Sequence, residues 1–420
     1  LFYLHEGMKM DNIIVGLDIG TTKVCAVVAG ADENGRMNIL GVGRSPAEGM
    51  MRGVVTHIDK TIKSITNAVA EAQSQSGVVI KSVIVGIAGD HIQSFQSRGV
   101  IGISGPDHEV TQADIDRLIE DTKRVALPSD RKIIHVIPQE FIIDGQDGVY
   151  DPLGMSGVRM EANVHIITGL VSAAQNIYKC VQRAGLEVSD MVLEPLASSY
   201  AVLDDEEKEV GIALLDVGGG TTDLAVFEER TIRHTAVIGI AGRKVTDDIR
   251  KGLGILNEQA EKLKKDHGYA YVPAVPSSEP IILPGVGGRA PIEIDKRLLA
   301  QIIQPRMEEI FEIAALEIKR SGYSKHLSGG VVLTGGGALI RGTSELAQEV
   351  LGMPVKIGIP TGFSGGLVRE VEHPAYSTAV GLVYHGFKHQ DRSGVAQPTG
   401  TRGKSVSGMA RKMKEWFDQL

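Results

Sequence analysis

Leu214-Leu215-Asp216-Val217-Gly218-Gly219-Gly220-Thr221-Thr222-Asp223-Leu224-Ala225-Val226-Phe227 reads as an apolar strand, a turn made almost wholly of Gly and Thr, and a second apolar strand. Three successive glycines let the backbone approach a ligand and take positive φ, so that consecutive N–H groups converge on one anion. Thr221 and Thr222 add hydroxyl donors, and Asp216, closing the first strand, is placed to hold a divalent cation through water. The stretch predicts a hairpin that grips phosphate.

The pattern occurs again near the amino terminus, as Val15-Gly16-Leu17-Asp18-Ile19-Gly20-Thr21-Thr22-Lys23-Val24-Cys25-Ala26-Val27-Val28. A single copy is compatible with an ordinary hairpin whose Gly serves only the turn. Two copies, each with Asp just ahead of the turn, imply two similar halves facing one ligand. A third glycine turn, Val331-Val332-Leu333-Thr334-Gly335-Gly336-Gly337-Ala338-Leu339-Ile340, runs from a buried strand into a helical pattern. In this order it resembles the adenosine loop of the superfamily that contains actin, sugar kinases and the seventy-kilodalton heat-shock chaperones.

With 420 residues, 42% hydrophobic, 23% charged and 4% aromatic, the chain has room for two core-bearing halves. No apolar run approaches the ~20 residues a helix needs to cross a bilayer, and no signal peptide is expected before Asp11. A start at Met8 or Met10 is expected, with the preceding residues an extension. Cys25 and Cys180, the only cysteines, stand in apolar settings, which suits reduced, buried thiols in a cytosolic protein and provides no zinc site. The net charge of -8 argues against nucleic-acid binding, although the carboxyl-terminal stretch is basic.

Beyond the first hairpin, residues 37–44 read as a strand, 60–74 as a helix and 81–89 as a buried strand. Residues 91–169 change character and look inserted: short strands at 99–104, 132–141 and 163–168, a helix opened by Thr111 with Asp114 forming a capping box, and a turn-rich piece from Tyr150 to Glu161. A helix at 172–184 closes at Gly185. The strand 188–193 ends at Glu194, and Pro195 takes a permitted first helical position. The charged run 204–209 is expected to be a solvated loop. Helices follow at 257–265 and, long and amphipathic, at 295–320. Residues 375–387 predict a final helix returning to the first half, which makes the domains discontinuous.

Residues 388–404 have no periodicity and read as a flexible linker. In the last sixteen residues, advancing about 100° per residue puts Val406, Met409, Ala410, Met413, Trp416, Phe417 and Leu420 within an arc of about 120°. Arg411, Lys412 and Lys414 fall outside it. Packing on the chain's own body or in a partner's groove is one reading. Basic flanks, a linker and adjacent Trp and Phe favour an interfacial membrane helix. Each buried apolar side chain contributes ~1.5–3 kcal/mol, and each Lys or Arg near anionic lipid about 1 kcal/mol more, against the cost of ordering the helix. One tail should bind weakly and several tethered together tightly.

Taken together, these residues resemble the FtsA family of bacterial cell-division proteins, actin homologues, over nearly the whole chain. The resemblance implies an α/β, actin-like (ribonuclease H-like) fold of two lobes with a duplicated core and an inserted subdomain. The first lobe would comprise residues 12–90, 170–204 and 366–387, with 91–169 the inserted subdomain of the family's 1C type. The second would comprise 210–242 and 327–365 with a helical subdomain at 243–326, followed by the linker 388–404 and the membrane-targeting helix 405–420.

By the same resemblance, Gly20, Thr21, Thr22 and Lys23 take one side of the phosphates of ATP and Gly218, Gly219, Gly220, Thr221 and Thr222 the other. Asp18, Asp216 and Glu194 hold Mg²⁺ through water, and Glu261, Lys264, Gly335, Gly336, Gly337 and Ala338 contact the nucleoside. Arg306 and Glu309 meet the carboxyl-terminal tail of the tubulin-like protein FtsZ. Met409, Met413, Trp416, Phe417 and Leu420 enter the membrane. The implied protein polymerises on the cytoplasmic face of the inner membrane at the division site, tethers FtsZ filaments to anionic lipid as a peripheral membrane protein, and recruits later division proteins.

One departure bears on mechanism. Where actin-like relatives place an amide or carboxylate to orient the attacking water, this chain has Leu170-Val171-Ser172-Ala173-Ala174-Gln175, and only Gln175 is available. Phosphoryl transfer needs a positioned nucleophile, so at most weak ATPase activity is expected. Two alternatives share the fold: an actin-like scaffold of type IV pilus assembly, and a small-molecule kinase, neither of which uses the terminal helix.

Overall fold

The computed structural model describes residues 13–32, 36–276, 280–284 and 290–393. The chain opens with β1 (Ile13–Ile19), β2 (Lys23–Ala31), β3 (Met37–Pro46), the short pair β4 (Met50–Met51) and β5 (Val54–Val55), α1 (Ile58–Ser76) and β6 (Ser82–Ile87). β1 and β2 are almost entirely buried, as continuous apolar runs are when a sheet is covered on both faces. They form the antiparallel hairpin expected, with Asp18 opposite Cys25, and β1 pairs parallel with β6.

The inserted segment folds as β7 (Gln93–Gly102), α2 (Gln112–Thr122), β8 (Arg131–Ile143), β9 (Gln146–Val149) and β10 (Arg159–Leu170). Its four strands make a separate sheet in the order β7-β10-β8-β9. The capping box forms: Thr111 Oγ1 accepts from the Asp114 N–H, and the Asp114 carboxylate accepts from the Thr111 N–H.

The chain then returns through α3 (Val171–Arg183), β11 (Glu187–Leu193), α4 (Glu194–Val202) and α5 (Asp205–Val210). α5 corrects the expected solvated loop. Asp204 and Glu207 form a capping box, which closes one helical turn within that charged run.

The second lobe repeats the plan of the first. β12 (Ile212–Val217), β13 (Thr222–Glu228) and β14 (Thr231–Ile238) lead into α6 (Gly242–Leu253), α7 (Asn257–His267), β15 (Ile281–Leu283), β16 (Ile292–Ile294) and α8 (Lys296–Arg320). β17 (Val331–Thr334), α9 (Thr343–Leu351) and β18 (Val355–Ile357) complete it. β12 and β13 form an antiparallel hairpin with Asp216 opposite Asp223, and β12 pairs parallel with β17. The sheet runs β14-β13-β12-β17-β18, against β11-β6-β1-β2-β3-β19 in the first lobe, where β19 is Phe363–Gly366.

After α10 (Val368–Val371), α11 (Ser377–Ser393) returns to the first lobe as expected, and runs six residues into the stretch read as linker. Between the two sheets, α4 and α11 pack their Ala197, Ala201, Val380 and Val383 against Val27 of one hairpin and Leu214 of the other. The two helices touch backbone to backbone: a Cβ at Gly381 would collide with the carbonyl of Ala197. Met409, Met413, Trp416, Phe417 and Leu420, expected to enter a membrane, lie outside the described residues. Among the described residues no helix is long and apolar enough to cross a membrane.

Candidate functional site

Because each hairpin ends its strands on the same side of its lobe, the two Gly-Thr turns meet. A Cβ on Gly219 would strike the Thr22 side chain, and one on Gly220 the Thr21 side chain. Only glycine allows this approach. Around the contact opens a cleft of about 550 Å³. It is lined by Gly20 to Lys23 on one side and Gly218 to Thr221 on the other.

At its floor lie four carboxylates from four segments: Asp18 at the end of β1, Asp216 at the end of β12, Asp223 at the start of β13 and Glu194 at the start of α4. Burial raises all four. Asp18 is pushed up to about 6, with Lys23 opposing and Asp216 adding to the rise. Asp223 is pushed up to about 8 by burial and by Asp216. Glu194 rises well above its usual range through burial and the neighbouring Asp18, Asp223 and Asp216. Asp216 is raised by burial too, held back by hydrogen bonds from Ser198 Oγ at 2.8 Å and Thr378 Oγ1 at 3.2 Å.

The other wall is made by α7 and the third glycine turn. Lys264 Nζ donates to Glu261 Oε2 at 2.7 Å, to Thr246 Oγ1 at 2.8 Å and to the Gly242 carbonyl at 3.0 Å, while Lys265 Nζ lies 3.3 Å from Glu261 Oε1. Gly335, Gly336 and Gly337 face them across the cleft, with Leu339 and Ile340 as apolar lining. Lys23 Nζ is turned to the Ala375 carbonyl at 2.5 Å and sits 3.8 Å from the centre of the Tyr376 ring.

Three expected residues do not reach the cleft lining. Thr222, the first residue of β13, is fully buried and donates its hydroxyl to the Ile240 carbonyl at 2.8 Å. Ala338 is buried behind the third turn, its N–H donated to the Gly335 carbonyl. Gln175 lies on α3, partly exposed and away from the cleft-lining residues. Arg306 and Glu309 stand elsewhere, on α8, in one ion-pair cluster: Arg306 Nε donates to Asp248 Oδ2 on α6 at 2.6 Å, and Nη1 to Glu309.

Sequence reasoning passed over several lining residues. Asp223 was visible in the motif, in the position that Cys25 holds in the first hairpin. His373, Pro374, Ala375 and Thr378 carry no local signal and arrive only because α11 returns between the lobes.

Asp223 Oδ1 is buried without a hydrogen-bond partner, among carboxylates that outnumber nearby cations. That donor set fits a hydrated divalent cation. Among the described residues no three His, Cys, Asp or Glu side chains converge to ligate a metal directly.

Comparison with known proteins agrees with this architecture. A family model described as cell division protein FtsA matches residues 213–381, and one described as the SHS2 domain inserted in FtsA matches residues 89–168. The chain is similar to cell division protein FtsA of Pseudomonas aeruginosa, 44% identical over 97% of this chain and 98% of that protein. FtsA of Escherichia coli is 39% identical over 96% and 97%, and that of Bacillus subtilis 38% over 90% and 84%. Among solved structures, the PilM-PilN type IV pilus biogenesis complex aligns with a TM-score of 0.66 at 16% identity, over 89% of this chain and 98% of that one. MreB5 of Spiroplasma citri bound to AMPPNP aligns with 0.54 at 15%, over 91% and 99%. The structural likenesses establish the actin-like fold alone. With 38% to 44% identity to FtsA proteins of three bacteria over 90% to 97% of its length, and the inserted domain in its place, the chain belongs to the FtsA family of cell division proteins.

Proposed function

We propose that this chain binds ATP with Mg²⁺ in the interlobe cleft, polymerises on the inner face of the cytoplasmic membrane, tethers FtsZ filaments there and recruits later division proteins. The observation that carries the reading is the meeting of the two Gly-Thr turns over buried carboxylates, a geometry suited to an anion and a cation entering together. The turn N–H groups with Thr21, Thr22 and Thr221 would clasp phosphate oxygens. Lys23 would leave the Ala375 carbonyl to join them, and Asp18, Asp216, Asp223 and Glu194 would hold the water shell of Mg²⁺. The bound cation would supply charge to neutralise the phosphates. Glu261 and Lys264, already held to each other, would present fixed polar groups to the nucleoside.

Hydrolysis is weak in this reading, because Gln175, the side chain available at the position expected to orient the attacking water, is not among the cleft-lining residues. ATP then acts mainly as a conformational ligand. On α8, the face around Arg306 and Glu309 would receive the FtsZ tail, and residues 405–420 would lie on anionic lipid through Met409, Met413, Trp416, Phe417 and Leu420.

Co-pelleting with FtsZ on anionic vesicles, with and without ATP and Mg²⁺, tests the reading. The intact chain should carry FtsZ down with the lipid, and Trp416→Glu should leave both in the supernatant. Equal pelleting of the two, or vesicle binding without FtsZ, would overturn the tethering role.

A further inference from the structure

The inserted subdomain is covalently part of the first lobe, yet its sheet lies against β14, the edge strand of the second lobe's sheet. Edge strands expose unpaired backbone groups that need cover. The cover here has an unusual form. In β14 the register slips, so that Phe227 pairs with Ile232 and Val226 with His234, which leaves Arg233 as an extra residue. In β8 the register also slips: Asn163 pairs with Glu140 and Val164 with Pro138, leaving Gln139 extra. A bulge re-aims a side chain and frees backbone groups from the ladder.

These two bulges face each other. The buried Gln139 donates through Nε2 to the Ile232 carbonyl at 2.8 Å and the Arg233 carbonyl at 3.3 Å. Ser94 Oγ on β7 donates to the Thr235 carbonyl at 3.1 Å, and His165 Nε2 on β10 lies 3.1 Å from Thr235 Oγ1. Three strands of the insert thus hold three residues of the other lobe, Ile232, Arg233 and Thr235.

The same β14 reaches the cleft. Its last residue, Ile238, pairs with Thr222, whose hydroxyl binds the Ile240 carbonyl, and the chain continues to Gly242 in the cleft wall. From Ile232 to Ile238 is ~20 Å of extended strand at about 3.3 Å per residue.

We propose that the inserted subdomain is a latch on the second lobe, and that its grip on the β14 bulge holds the lobes at the angle where the two Gly-Thr turns meet. The inference rests on the nucleotide reading of the cleft. Release of bound nucleotide then requires the Gln139 contact to open. By linkage, any partner that binds the insert only when it is off β14 weakens nucleotide binding by the factor by which nucleotide weakens that partner.

The test is the dissociation rate of a fluorescent ATP analogue from the full chain with Mg²⁺. Gln139→Ala should release it at least about 5-fold faster. A second variant, Ser94→Cys with Thr235→Cys, joined by oxidation to a disulfide, should release it at least about 5-fold more slowly than the same protein before joining. The joined pair decides the matter if Gln139→Ala fails to fold. Normal analogue binding with unchanged release in these variants overturns the latch alone. No binding by the intact chain overturns the nucleotide reading and the latch with it.

Discussion

Ser198 Oγ donates to Asp216 Oδ2 at 2.8 Å, which ties the helix crossing the cleft to the floor of the opposite lobe. Both side chains are buried, and Thr378 at the start of α11 shares the same oxygen. Asp216 is therefore held in place by two hydroxyls from the helices between the lobes, and its charge is favoured by them against burial.

Ser198→Ala removes one of these donors from a buried carboxylate. A hydrogen bond to a charged group contributes about 1.5–3 kcal/mol, so denaturant unfolding should show a loss of that order. Mg²⁺-dependent binding of an ATP analogue should weaken in the same variant.

Gly219→Ala and Gly220→Ala put a methyl group into the Thr22 and Thr21 side chains of the facing turn. The turns must separate, and analogue affinity measured by fluorescence titration should fall about 10-fold or more, as binding groups displaced by a fraction of an ångström do. Gly239→Ala, whose Cβ meets only Arg52 Cδ at 3.9 Å, should stay within about 2-fold of the parent.

Asp223→Asn removes a buried carboxyl that burial and Asp216 push up to about 8, at a cost to the fold, and whose Oδ1 has no partner. The nucleotide-free protein should gain on the order of 1 kcal/mol in thermal or denaturant unfolding, while Mg²⁺-dependent analogue binding declines. A variant that loses stability and binds normally would show that the carboxylate serves the fold rather than the cation.

Acid titration should expose His165. Burial lowers this ring to about 4, with His234 adding to the effect. Between pH ~6.5 and ~4 the unfolded chain takes up a proton that the native protein refuses, so stability falls across that window and is flat above it. Asp18 and Asp223 act with opposite sign: raised to about 6 and about 8, they bind protons more tightly in the native state, and their cost is relieved as the pH falls through those values. The His165 contribution is therefore read as a difference: His165→Gln should flatten the acid limb by on the order of 2 kcal/mol relative to the parent.

Much of this was legible because the decisive signals are local. Leu214 through Phe227 specify strand, turn and strand within fourteen letters, and repetition around Asp18 forces the symmetry of the two lobes. Thr111 with Asp114 announced a helix start, and so, unheeded, did Asp204 with Glu207, where the density of charge suggested solvent instead. What resisted reading depends on register and return paths. Thr222 and Thr221 are neighbours of the same type, and only the pairing of Thr222 with Val217 decides which hydroxyl is spent on the Ile240 carbonyl. The bulges at Gln139 and Arg233 leave no mark in composition. Thr378 enters the site from 162 residues beyond Asp216.

The backbone contact of Gly381 with Ala197 has a mechanical meaning. Helices that touch through their main chains have no side-chain cushion to absorb a displacement, so α11 and α4 shift as a stiff pair. Thr378 stands at the start of α11 and bonds the Asp216 carboxylate. Any force that displaces this helix pair is accordingly felt at the cleft floor, as a rigid lever reports a push at one end by movement at the other.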